Sequence, residues 1–183
     1  MNGYGHKDLA EWAIEFIGII DGESILDIGC GGGGNIFRLL QRFPNSVVNG
    51  IDYSQTAVKL SKKNNAKAIA EERCKISLGE VQCLPFDSES FNIITAFETV
   101  YYWKDIEKSF REVFRTLKPN GKFSIVNGAD AEGGWTWDSY IDGMHTYTPA
   151  ELEQILTQTG FEDIQIFRRQ DCHFVCIIAC KNN

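Results

Sequence analysis

The chain has 183 residues, 43% of them hydrophobic and 23% charged, enough for one domain with a sizeable core and close to the average of folded proteins. A formal net charge of -7 with no basic stripe excludes a phosphate-tracking nucleic-acid surface, and no apolar run reaches membrane-spanning length. The first residues, MNGYGHKDLAEW, lack the apolar centre of a signal peptide, so a cytoplasmic location is expected.

In chain order, Leu9, Ala13, Phe16, Ile17 and Ile20 form a helical stripe. A first strand is expected over Ser24–Ile28, followed by a glycine run and a helix carrying Ile36, Leu39, Leu40 and Phe43. A second strand, Val47–Ile51, closes on Asp52. A polar helix then runs from about Gln55 to Ala70, with Lys59, Lys62, Lys63 and Lys67 on its solvated face. Strands three to five are Cys74–Leu78, Phe91–Phe97 and Lys122–Val126; a helix with Ile106, Phe110, Val113, Phe114 and Leu117 precedes the fifth and stops before Pro119. Thr148-Pro149-Ala150-Glu151 reads as a capping box that opens a helix ending at Gly160. Two strands, Phe161–Phe167 and His173–Ala179, then follow with only a short link, which permits an antiparallel pair. Cys172, Cys176 and Cys180 are four apart and would share one face of a strand as buried thiols, without zinc-site spacing. No carboxylate–histidine cluster points to a metal.

The glycine run admits two readings. Gly29, Gly31 and Gly34 fit a dinucleotide loop, whereas Asp27, Gly29, Gly31 and Gly33 fit a loop for S-adenosylmethionine (SAM). Charge separates them. A pyrophosphate on the loop would be repelled by Asp27, while the ammonium and sulfonium of SAM would be attracted.

Together, LDIGCGGG, GIDYS, GEVQCLPFDSESFNIITAFET and LKPNGKFSIV, between Ser24 and Val126, resemble the class I, Rossmann-like SAM-dependent methyltransferases, and among them the methyltransferase type 11 family. The resemblance implies a three-layer α/β sandwich in one domain, 1–183, with a seven-stranded, mostly parallel sheet whose last strand is antiparallel. It implies SAM as cofactor, S-adenosylhomocysteine as product and a small-molecule methyl acceptor. Non-catalytic SAM sensing and NAD-dependent redox chemistry remain the alternatives. By position, Gly29 and Gly31 would face the methionine part of SAM, with Asp27 acting through its charge and ordering the loop. Asp52 would take both ribose hydroxyls, Tyr53 would lie along the adenine, and Glu80 with the Val81 backbone would meet its amino edge. Phe97 would offer a carbonyl to the ammonium. Glu80 and Asn92 stand where the family usually has Asp.

Residues 1–21 are expected to form a helical lid, with Tyr4 and His6 over the cofactor. The glycine- and aromatic-rich connection 128–147 is expected to be a substrate loop. Tyr102, Trp135, Trp137 and His145 are the acceptor candidates, with His145 the candidate general base because imidazole titrates near neutrality. Asp52, at a strand end, is expected to contribute little to folding.

Overall fold

The computed structural model describes residues 5–18, 22–128, 143–169 and 172–182. Tyr4, Trp135 and Trp137 lie outside the described residues, as does most of the 128–147 connection. The elements are α1 (His6–Ile14), β1 (Ser24–Ile28), α2 (Gly34–Arg42), β2 (Val47–Asp52), α3 (Gln55–Asn64), α4 (Ala66–Ala70), β3 (Cys74–Leu78), β4 (Phe91–Phe97), α5 (Ile106–Thr116), β5 (Leu117–Asn127), α6 (Pro149–Thr159), β6 (Glu162–Arg168) and β7 (Val175–Lys181). Short 3-10 turns cover Glu15–Ile17 and Val100–Tyr102.

The sheet has seven strands in the order β3-β2-β1-β4-β5-β7-β6. The strands from β3 to β5 pair in parallel, and β7 is antiparallel to both of its neighbours. The strand order reverses between β1 and β4. In open α/β sheets the crevice outside the carboxyl ends at that point is where ligands bind.

Each face of the sheet carries its own core. Alternation along the strands sends Ile25, Val48, Ile93, Cys176 and Ile178 to the cluster under α1 and α2. The intervening Leu26, Ile94, Val175, Ile177 and Ala179 join Phe110, Val113, Leu152 and Leu156 under α5 and α6. Both cores fit the three-layer sandwich. Aromatic pairs fix α1 and the turn that follows it on the antiparallel end of the sheet. Phe16 stacks on Phe167 at 4.0 Å, and Trp12 packs on Phe174 at 6.2 Å.

Three details depart from the sequence reading, and the place of Asn92 is added to them. The expected helix Gln55–Ala70 is broken at Asn65, whose backbone leaves helical geometry at φ -110 and ψ 20. The Asn65 side chain is buried and donates to the carbonyls of Gly33 and Ser61 at 3.1 Å each, so a tertiary contact outweighs helix continuity. β5 begins at Leu117 rather than Lys122, since Leu117 pairs with Phe91 before a register shift. Cys172 precedes β7, and Cys180 is only half-buried, so of the three thiols only Cys176 is buried in the strand; Cys83 is exposed. Asn92 lies at the amino end of β4, away from the crevice, and accepts hydrogen bonds from Ser24 N (3.3 Å) and Lys118 Nζ (2.9 Å).

The capping box of α6 forms as its sequence requires. Glu151 N donates to Thr148 Oγ1 at 3.2 Å, and Thr148 N donates back to Glu151 at 2.7 Å. Among the described residues no helix is long and apolar enough to cross a membrane.

Candidate functional site

After β1 the chain turns through Gly29–Gly33 into α2 with three left-handed glycines, at φ 71 (Gly29), 52 (Gly31) and 80 (Gly33). A Cβ on Gly29 would stand 2.2 Å from Thr99 Oγ1, and one on Gly33 would stand 2.3 Å from Asn65 Nδ2. The protein itself therefore demands glycine at those two positions. Gly31 differs, because no atom of the described residues lies within 4 Å of where its Cβ would be. Thr99, just past β4, walls the loop on one side and Ser61 of α3 with Asn65 on another, and among the described residues it is open at Gly31. Gly29 N and Cys30 N donate to Ile51 O at 2.8 and 3.1 Å, which ties the loop to the end of β2.

Asp27 is 1% exposed. Its Oδ1 accepts from Thr95 Oγ1 at 2.9 Å, while its Oδ2 is buried with no hydrogen-bond partner among the described residues. Burial pushes the carboxyl up to about 7; the Thr95 bond opposes the shift and the nearby Asp52 charge adds to it. Asp27 is thus a poorly satisfied acid beside the loop, one that a cation would favour. The Cys30 thiol within the loop is pushed up to about 12, mainly by burial and then by the Asp27 charge, so it is no nucleophile at neutral pH.

Asp52 is 7% exposed and has structural work of its own. Its Oδ2 accepts from Gly31 N at 2.8 Å and its Oδ1 from Ser54 N at 2.9 Å. The carboxylate therefore braces the glycine loop and the start of α3, which corrects the expectation that it contributes little to folding. Each oxygen takes one hydrogen bond here and has capacity for a second.

The other cofactor candidates sit along the same carboxyl-end rim. Tyr53 is 75% exposed. Glu80 is exposed and Val81 half-buried, in a turn where Cys83 N donates to Glu80 O at 3.2 Å. Gly79 N donates to Asp52 O at 3.0 Å, holding that turn beside β2. Phe97 closes β4 and is buried.

A cluster missed at the residue level begins one step later. Glu98 has a left-handed backbone, φ 57, which is uncommon for a residue with a side chain. Its Oε1 accepts from Tyr101 OH at 3.1 Å and from Gly128 N, and its Oε2 lies 3.3 Å from His6 Nδ1. His6, expected over the cofactor, is thus paired with an acid at the end of β4. The sequence marked Tyr102 of this segment as an acceptor candidate, but nothing in it linked residue 6 to residue 98. Tyr102 is about half exposed. His145 donates its backbone N–H to Tyr101 O at 2.9 Å, and its ring meets the Tyr147 edge at 4.3 Å, so it stands near this cluster.

Residues 19–163 match the family described as "Methyltransferase domain". The chain belongs to this methyltransferase family. The description differs from the type 11 label, but both lie in the class I SAM-dependent superfamily, whose methyl donor is SAM. YrhH of Bacillus subtilis (strain 168), named as a methyltransferase, is 27% identical over 175 residues, covering 96% of this chain and 87% of that protein. Cycloartenol-C-24-methyltransferase of Arabidopsis thaliana is 32% identical over 108 residues, covering 59% of this chain; the chain spans only 32% of that relative's length. The fold matches geranyl diphosphate C-methyltransferase of Streptomyces coelicolor A3(2), solved with S-adenosyl-L-homocysteine, at a TM-score of 0.83 and 17% identity, over 96% of this chain and 80% of that one.

Proposed function

We propose that this methyltransferase transfers the methyl group of SAM to a small molecule in the crevice between the ends of β1 and β4. The observation that carries the reading is the pairing, among the described residues, of an unsatisfied, buried Asp27 oxygen with a loop left open at Gly31. A cationic sulfonium ligand with an ammonium suits that acid, and a pyrophosphate does not. In this reading Gly29 and Gly31 line the methionine part, and Phe97 offers its carbonyl to the ammonium. Asp52 takes the ribose hydroxyls with its remaining lone pairs. Tyr53 backs the adenine, whose amino edge meets Glu80 and the Val81 backbone. SAM supplies an activated methyl on a good leaving group, so the chain's own task is to position the acceptor and exclude water.

A small acceptor is supported by the names of the relatives, which include sterol and geranyl diphosphate methyltransferases. Residues 1–21 and 128–147 would cover the site, with Tyr102 and His145 on its acceptor side and Tyr4, Trp135 and Trp137 drawn from the covering segments. No disulfide links the six cysteines among the described residues, which suits a reducing compartment such as the cytoplasm. Calorimetry with SAM, S-adenosylhomocysteine and NAD, followed by turnover of labelled SAM, tests the reading. SAM is expected to bind and NAD to be ignored. NAD binding tighter than SAM would overturn it.

A further inference from the structure

We infer that His6 and Glu98 form a base for an acceptor whose nucleophilic atom carries a proton, a hydroxyl, thiol or amine. The inference rests on the SAM-binding reading above and narrows its acceptor.

The argument starts from backbone conformation. A left-handed φ of 57 at Glu98 is unfavourable for a residue with a Cβ, and such positions concentrate at functional sites. Here the turn aims the carboxylate across the end of β4 toward β5. Gly128 N and Tyr101 OH both donate to Oε1. A Cβ on Gly128 would stand 3.1 Å from both carboxylate oxygens, so glycine there leaves room for the acid. With Oε1 taking two donors, Oε2 is the oxygen left to face outward, and it lies 3.3 Å from His6 Nδ1. In the proposed arrangement the Glu98 carboxylate would accept from Nδ1–H, which would hold the imidazole proton on that nitrogen and leave the Nε2 lone pair to accept.

Placement agrees. Thr99, the next residue, presses against Gly29 of the loop. The nucleoside contacts proposed above lie on the β2 side, so the reacting end of the cofactor would point toward β4. His6 is anchored from behind, since Leu9, Ala10 and Ala13 of α1 are buried in the core, while its own side chain is 88% exposed. In the step, His6 Nε2 takes the acceptor's proton as the bond from the heteroatom to the methyl carbon forms. The carbon–sulfur bond breaks, its electron pair stays on sulfur, and the imidazolium is held against Glu98. Glu98 is the positioning residue, because it acts through His6.

Two measurements test this. The first is a long-range 1H–15N spectrum of the 15N-labelled full chain at pH 8, where an ordinary histidine is neutral; the three histidines are sorted with H6Q. His6 is expected as the Nδ1–H tautomer, with E98Q shifting it to Nε2–H, the form free imidazole prefers. The same tautomer in the parent and in E98Q would overturn the pair. The second is transfer from tritiated SAM to catechol, 2-mercaptoethanol and ethanolamine. On whichever probe is methylated, H6A is expected to lower kcat about a hundredfold or more and E98Q about tenfold or more, with the SAM affinity of E98Q within about twofold of the parent. Parent-like rates in H6A would refute the base. SAM binding without transfer to any probe would refute the acceptor class and leave the cofactor reading standing, whereas loss of SAM binding itself would refute that reading and leave the tautomer result to judge the pair.

Discussion

Replacing Asp27 by Asn should make the ligand-free protein more stable at high pH while weakening its hold on SAM. Asp27 ionises at its ordinary 3.8 in the unfolded chain and at about 7 when folded, because burial disfavours the anion. The folded state therefore holds the proton more tightly. Its stabilising contribution is complete below pH 3.8 and is lost as pH rises through about 7. The full difference is worth about 4 kcal/mol, and the part falling between pH 5 and 8 is about 3 kcal/mol. Asp27→Asn removes this dependence, at the cost of an amide nitrogen in the unpartnered Oδ2 position, about 1–3 kcal/mol. Urea unfolding of parent and variant, without ligand, at pH 5 and 8 measures the swing. The variant should gain about 3 kcal/mol on the parent between these two pH values. SAM affinity, by calorimetry at pH 8, should fall about ten- to a hundredfold, since a charged partner is lost. In the parent, SAM affinity should rise from pH 5 to 8 as Asp27 ionises. A stability difference that is flat with pH would show that Asp27 is not a buried, proton-holding acid. An unchanged SAM affinity would remove it from the cofactor site.

Asp52→Ala should lower SAM affinity about thirty- to a thousandfold and, because Gly31 N and Ser54 N lose their acceptor, also lower stability by about 1–3 kcal/mol; Asp52→Asn should lose less of both, as calorimetry and urea unfolding would show. Gly33→Ala puts a Cβ against Asn65 and Ser61 and should destabilise the fold strongly. Gly31→Ala meets no atom of the described residues, so it should lose only about 1–2 kcal/mol from its left-handed backbone while lowering SAM affinity, and equal SAM affinity in parent and variant would refute an open cradle there. Thr148→Ala should remove about 1 kcal/mol through the α6 cap and leave SAM affinity unchanged by calorimetry.

What the sequence disclosed was what its neighbours in the chain determine. Asp27 and the loop glycines fall within a few residues of each other, between a strand and a helix, so their joint role is local. Asp52 ends a strand whose pattern is plain, and the α6 cap is a four-residue device. What stayed hidden depends on contacts between distant segments. The helical pattern through Asn65 is unbroken in sequence; only the Gly33 carbonyl, 32 residues away, explains the break. The proton affinity of Asp27 follows from burial, which the sequence does not display. The approach of His6 to Glu98 needs both the packing of α1 and a backbone conformation at Glu98 that no propensity predicts.

The break between α3 and α4 shows where local preference and global need part company. A continuous helix would satisfy the residues on either side of Asn65 taken alone. Instead the chain accepts a short, five-residue α4 with no buried residue so that one amide can reach the loop. This is frustration confined to one joint. It follows that a sequence optimised for helix content would favour residues that straighten this joint, and the same choices would release the far wall of the glycine loop. Stability gained along the helix and shape kept at the crevice are therefore opposing demands on a single side chain.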